Sequence, residues 1–274
     1  MVGVLGVSAS AILVRFSQAP SGVTAAYRLG WTVLLLLPVV LLRCRAELRR
    51  VTARDLVLCG ASGVLLALHF LTWFESLKRT SVASSTVLVS TEVIFTALGF
   101  ALFLHGKIPR LGVWAILLAF GGSALLALSG GGGAGELSGN LLALAAASAA
   151  AVYTLIGRIQ RGHLSTTVYT FLTYLACFLT LLLGTAAAGT PLTGYGGREW
   201  LIGLALAVLC TLLGHSLFSW CLKYLSPSYV SAAKLCEPVF SSLAAIPLFG
   251  EVPGPLQLAG GAAVLGAVLL YTWA

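Results

Sequence analysis

Residues 21–43, SGVTAAYRLGWTVLLLLPVVLLR, carry one internal charge, Arg28, and end on the basic cluster Arg43, Arg45, Arg49 and Arg50. A helix that crosses a bilayer needs roughly 20 predominantly apolar residues, so this stretch reads as one complete crossing. Runs of the same kind fill the chain on both sides of it. Of 274 residues, 59% are hydrophobic and 9% charged, whereas a soluble domain carries about 25% charged residues because its surface must face water. The surface of this chain must face something apolar.

Apolar runs broken by charge clusters and Gly/Pro signals predict ten helices, with ends placed to about three residues. They cover about 1–18, 21–43, 55–77, 81–105, 109–129, 138–158, 165–188, 199–223, 227–249 and 254–273. Irregular backbone is not tolerated against lipid, so these runs are helices by necessity. The opening run lacks a basic leader and a cleavage site, and reads as a retained first helix. The glycine-rich segment from Gly130 to Gly135 has no following Lys-Ser/Thr, so it reads as a linker rather than a phosphate cradle. The expected fold class is an all-α membrane protein.

The formal net charge of +8 could point to nucleic acid, but the basic residues lie mostly in short loops between apolar runs. That is the pattern of topology signals, and no nucleic-acid partner is expected. With the N-terminus inside, the inner loops hold ten Lys/Arg (Arg43 to Arg54, Lys107, Arg110, Arg158, Arg161, Lys223) and the outer loops three, Lys78, Arg79 and Arg198. Both termini are therefore expected in the cytoplasm, in a plasma (inner) membrane. The six cysteines show no CxxC pair and no Cys/His ligand spacing, so neither a disulfide framework nor a metal or other cofactor is expected.

A shift of 145 positions superposes helices 3–5 on helices 8–10: Lys78 meets Lys223, Ser81 meets Ser226, Glu92 meets Glu237 and Phe95 meets Phe240. A rare intramembrane Glu preceded by Lys at the same spacing is the informative coincidence. Five helices per copy, an odd number, force the two copies to insert with opposite topology. Inverted repeats characterise many secondary transporters, with the substrate site near the midplane. The expected division is 1–130, a linker at 131–137, and 138–274.

The stretch His69 to Lys107, HFLTWFESLKRTSVASSTVLVSTEVIFTALGFALFLHGK, resembles the first repeat of the EamA-type drug/metabolite transporter superfamily. The stretch Gly214 to Glu251, GHSLFSWCLKYLSPSYVSAAKLCEPVFSSLAAIPLFGE, resembles its second repeat, including the Glu237-Pro238 pair. Tyr27-Arg28-Leu29 and Gly139-Asn140-Leu141-Leu142 are similar to that family too. The resemblance covers nearly the whole chain and includes a similarity to the family's aromatic amino acid exporters. It implies ten transmembrane helices in two inverted five-helix repeats around a central cavity, and gradient-driven or proton-linked export of metabolites. Glu92 departs from the family, which more often has a Pro-containing turn there, and Lys234 is a second departure.

A charge at mid-membrane costs roughly 2.5–3.5 kcal/mol on insertion scales. Glu92, Lys234 and Glu237 together would cost about 8–10 kcal/mol facing lipid, so they must face the interior, pair, or carry a proton. Lys234 and Glu237 are three apart and close enough to pair on one helix face. Ser231 and Ser241 extend that face, and Ser81, Ser85, Glu92 and Thr96 form the matching stripe on helix 4. The two stripes predict a midplane site for substrate and protons; the same residues also suit an ion cluster that locks two helices. Mixed charge suits a zwitterion such as an amino acid, its ammonium on Glu and its carboxylate on Lys. The rival cargo is an organic cation or drug stacked on Trp73.

His69, Thr72, Trp73 and Ser76 share a face of helix 3, and Thr211, His215 and Ser219 share one of helix 8. The two histidines could relay protons near neutral pH or simply bond a neighbouring hydroxyl or carbonyl. Trp73 fits cavity lining and an interfacial belt equally; Trp200, Trp220 and Trp273 fit the belt. Arg28 could hold a carboxylate, snorkel outward, or pair with Glu75. No HExxH or GxSG motif is present, so an intramembrane enzyme is disfavoured against a carrier. Expected partners are a small-molecule substrate, protons as a candidate coupling ion, and membrane lipids. Oligomeric state is not encoded legibly.

Overall fold

The computed structural model describes residues 2–103, 109–129, 134–225 and 236–273. In chain order its helices are α1 (Val2–Phe16), α2 (Ser21–Arg43), α3 (Arg45–Leu48), α4 (Ala53–Arg79), α5 (Val82–Val89), α6 (Glu92–Phe103), α7 (Arg110–Ser129), α8 (Ala134–Gln160), α9 (Thr166–Ala187), α10 (Gly197–Ala205), a π-helical segment (Leu206–His215), α11 (Ser216–Cys221), α12 (Cys236–Phe249) and α13 (Pro255–Trp273). Among the described residues there is no strand.

Among the described residues, six segments are long and apolar enough to cross a membrane: Ser21–Arg43, Ala53–Arg79, Val82–Gly99, Gly135–Gln160, Thr166–Ala187 and Gly197–Cys221. Shorter apolar helices occupy Gly6–Phe16, Arg110–Leu126, Glu237–Phe249 and Pro255–Tyr271. Large apolar side chains such as Leu42, Val57, Leu128 and Leu183 stand exposed on these helices. In water such a surface would aggregate; in a bilayer it is the solvated face. The buried side is rich in Ala, Ser and Thr, the small residues that let membrane helices approach closely. The protein is a multi-pass, all-helical membrane protein.

The chain forms two compact units, Met1–Leu71 with Ile156–Leu225, and Thr72–Leu155 with Ser226–Ala274; α4 and α8 contribute to both. In the first, α2 packs along α9 and α10, and α1 along the π-helical segment. A buried acid ties this unit together: Glu199 accepts from Ser17 Oγ at 2.6 Å and from the Gln18 backbone N–H at 3.1 Å. At the opposite helix ends, Thr52 and Asp55 cap α4 reciprocally. Asp55 Oδ2 accepts from the Thr52 N–H and hydroxyl at 3.0 and 2.7 Å, and Thr52 Oγ1 accepts from the Asp55 N–H at 3.2 Å. This is a capping box built from Thr and Asp. Asp55 Oδ1 also meets His163 Nε2 at 2.7 Å and Gln160 Nε2 at 3.2 Å, which pins α4 to the end of α8. Arg161, just beyond α8, donates to the Ser219 and Leu164 carbonyls, and burial lowers its pKa from the usual guanidinium value.

In the second unit α13 packs along α7, and α12 along α5. The first pair depends on glycine. A Cβ on Gly122 would lie 2.9 Å from the Gly260 carbonyl oxygen, and one on Gly260 2.9 Å from that of Gly122. Glu251 reaches back to accept the Val82 N–H at 2.7 Å, satisfying one of the free donors at the start of α5.

Two sequence-predicted helices differ in kind. The run at 81–105 is not continuous: Val82–Val89 and Glu92–Phe103 are separate helices. The cause lies in STVLVST. Ser90 Oγ donates to the Thr86 carbonyl at 3.0 Å and Thr91 Oγ1 to that of Leu88 at 2.6 Å, so side chains take helix acceptors at the break. Ser81, expected on a polar stripe, is instead the N-cap of α5, accepting from the Ser84 N–H at 3.1 Å. The run at 199–223 passes through a π-helical stretch, in which Thr211 Oγ1 bonds the Leu206 carbonyl five residues back. The helix expected from 138 begins at Ala134, and of the one expected over 227–249 the described part is Cys236–Phe249.

Candidate functional site

The second unit holds Glu92, the acid on the polar stripe expected from the sequence. It opens α6 directly after the break at Ser90-Thr91, and is 6% exposed. The Val93, Ile94 and Phe95 N–H groups bond the Ser90 and Thr91 carbonyls, so the first turn offers the carboxylate the positive end of the helix dipole. Thr154 Oγ1, on α8, donates to Glu92 Oε1 at 2.8 Å. One turn further along α6, Thr96 is buried and its Oγ1 finds no hydrogen-bond partner among the described residues. Irregular backbone at membrane depth is tolerated where it is enclosed by protein or lines a cavity. Discontinuous membrane helices form the ion and substrate sites of many secondary transporters.

Ser85, on α5, shares a 2.9 Å hydrogen bond with Ser76 of α4, and both are fully buried. Trp73 is 3% exposed, its ring tilted against Phe74 at 5.7 Å; that burial excludes it from an interfacial belt. Glu237 is half-buried at the start of α12, and Ser241 is fully buried one turn on. Lys234 and Ser231 lie outside the described residues.

The first unit builds a different constellation. Arg28 is 0% exposed, so it does not snorkel. Its Nε donates to Thr211 Oγ1 at 2.7 Å and its Nη1 to Ser10 Oγ at 3.1 Å, and the guanidinium carbon sits 4.2 Å from the centroid of the Phe70 ring. Glu75, the partner weighed for Arg28, bonds Arg79 at 2.8 Å. His69 and His215, at near-equivalent places in the sequence repeat, meet ring to ring at 6.4 Å, and Phe70 stands 5.6 Å from His215. A buried cation held by two hydroxyls and a ring face presents fixed positive charge in a low-dielectric interior.

Sequence reasoning named Arg28, His69 and His215 but missed Ser10, Phe70 and Thr154 as their partners and that of Glu92. A mid-membrane charge announces that partners exist; nothing in one sequence says which hydroxyl on which other helix supplies them. Trp200, expected in the belt, is 44% exposed and stacks on Tyr27 at 4.1 Å with rings 17° from parallel.

The geometry can be set beside known proteins. A sequence model of the EamA-like transporter family matches residues 1–128 and again 137–273. The chain is 24% identical over 207 residues to the pseudopaline exporter CntI of Pseudomonas aeruginosa, covering 76% of this chain and 72% of that one. It is 28% identical over 233 residues to a probable terminal-alkyne amino-acid exporter of Streptantibioticus cattleyicolor, covering 81% and 75%. One solved crystal structure shares its fold with a TM-score of 0.69 at 18% identity, over 99% of this chain and 94% of that chain. With nearly all of its length matched in two stretches, the chain belongs to the EamA-like transporter family.

Proposed function

We propose that this transporter exports a small metabolite with an amino-acid-like zwitterionic group, by alternating access and with a proton carried on Glu92. The observation that carries the reading is the placement of Glu92: an acid buried at a helix break, with Thr154 Oγ1 donating to it. A carboxylate in that setting can hold a proton in one state and present charge to a substrate ammonium in another. The names of two relatives, one an amino-acid exporter and one a pseudopaline exporter, support a metabolite cargo.

Within this proposal the ten apolar segments are ten crossings in two inverted five-helix halves, 1–130 and 138–274, joined at 131–137. The double family match and the 145-residue repeat support that division. Each half adopts in turn the conformation of the other, which exposes the site alternately to the two sides. Glu92 and Glu237 receive the ammonium, Lys234 the carboxylate, with Ser85 and Ser231 lining the site and Trp73 against the cargo. Arg28 is a fixed positive charge in the first unit that favours anionic groups, with His69 and His215 as the candidate proton relay beside it. The loop charges support an orientation with both termini cytoplasmic, in a plasma membrane. The chemistry is that of a carrier rather than an enzyme.

The buried Trp73 ring favours one competing cargo, a flat organic cation. Lys234 disfavours it by charge. Purified protein heated with a panel of amino acids and organic cations separates the two, since a ligand that binds only the folded state raises the melting temperature. Amino acids should shift it; a shift with cations alone would replace the proposed cargo.

A further inference from the structure

The first unit encloses an apolar cavity of about 240 Å³ on the side of α2 that faces α9 and α10. Ala26, Gly30 and Leu34 line it at four-residue spacing along α2, with Phe178 and Leu182 at the same spacing on α9. Eight residues of α-helix rise about 12 Å, so the cavity is a slot parallel to the helix axes. Gly30 is what leaves it open, since a Cβ there would come within 3.1 Å of Phe178 Cε2. At one end stand Trp200 and Leu192, beside the connection between α9 and α10.

The lining offers almost nothing to a polar ligand. The Tyr27 hydroxyl donates to the Leu192 carbonyl, and Trp31 Nε1 donates to the Trp200 carbonyl at 3.2 Å. Trp200 has Tyr27 stacked on it and Trp31 edge-on at 6.3 Å, which leaves little ring face for a cation. Arg28 follows Tyr27 directly but reaches Ser10 and Thr211 instead; successive helical residues point about 100° apart. A substrate held by Arg28 could not also lay its tail in the slot.

The slot does open on the surface that lipid wets. Leu34 is 56% exposed at its edge, and Leu179 and Leu183, beside Phe178 and Leu182, are 49% and 72% exposed. An apolar cavity with few polar groups takes up apolar ligands. In a bilayer the gain is in packing contacts, since lipid tails are as apolar as leucine. The acyl chains around the protein run roughly along its helices, as the slot does, and aromatic rings at one end suit the headgroup level. We propose that the slot is a lipid site holding one acyl chain of a bilayer phospholipid, distinct from the metabolite site.

The test uses the purified full-length protein, delipidated in detergent and titrated with dioleoyl phosphatidylglycerol. Native mass spectrometry reads retained lipid, and thermal melting reads stabilisation. Gly30→Leu fills the slot and Leu34→Trp closes it from the exposed side, so the second variant stands if the first does not fold. The account predicts a lipid retained by the unmodified protein, bound about tenfold less tightly by each variant, and a lipid-dependent rise in melting temperature that the variants lose. Equal lipid response in both variants would overturn it. So would a rise produced equally by glycerophosphoglycerol, which has the headgroup and no chain, or by a tetraalkylammonium ion without lipid.

Discussion

Thr154 Oγ1 donates a 2.8 Å hydrogen bond to Glu92 Oε1, linking the last third of α8 to the first residue of α6 inside the second unit. A hydrogen bond to a charged group contributes about 1.5–3 kcal/mol. Thr154→Val keeps the shape and removes the donor, so transport should fall by about tenfold, the equivalent of 1.4 kcal/mol. Thr154→Ser should retain most of it. Flux assays on the two variants check this; equal loss in both would mean that the side chain acts through packing.

Arg28 joins α2 to α1 and to the π-helical segment through Ser10 and Thr211, with Phe70 beneath the guanidinium. Lysine keeps the charge but cannot direct two donors in a planar fork or lie flat on the ring. Arg28→Lys should therefore cost about 2 kcal/mol of stability and lower the thermal midpoint of the purified protein. An unchanged midpoint would contradict the cage.

The α7–α13 pair admits no side chain at the crossing of Gly122 and Gly260, where each added Cβ would meet the other's carbonyl oxygen at 2.9 Å. Overpacking costs about 1–3 kcal/mol. Gly122→Leu should reduce folded yield and melting temperature. Gly121→Leu is the control, because a Cβ at Gly121 meets nothing within 4 Å.

Asp55 accepts hydrogen bonds from Thr52, Gln160 and His163 while its own side chain is 8% exposed, whereas that of His163 is 53% exposed. Removing a buried acceptor strands its donors at about 1–3 kcal/mol, whereas water can take the place of the half-exposed His163 ring. Asp55→Ala should thus destabilise clearly and His163→Ala barely, as read by thermal melting of the two variants side by side.

Hydropathy made the membrane class and the places of most helices legible, because a bilayer demands long apolar runs and punishes exceptions. The same rule made Glu92 and Arg28 stand out. The break at Ser90-Thr91 and the π-helical turn around Thr211 were hidden, since both arise from hydroxyls competing for backbone carbonyls, which hydropathy does not register. The Thr52-Ala-Arg-Asp55 capping box was readable as a Thr-x-x-acid signature and places the start of α4 earlier than apolarity alone does. Partners such as Ser10 and Thr154 were not readable, because they lie on other helices and a single hydroxyl leaves no periodic trace.

Proteoliposomes loaded with labelled amino acids, with external pH varied, test the role of Glu92 most directly. The account predicts saturable efflux with counterflow that varies with pH in the unmodified protein, and a pH-independent residual flux in Glu92→Gln. A Glu92→Gln variant that keeps the original pH dependence would contradict it.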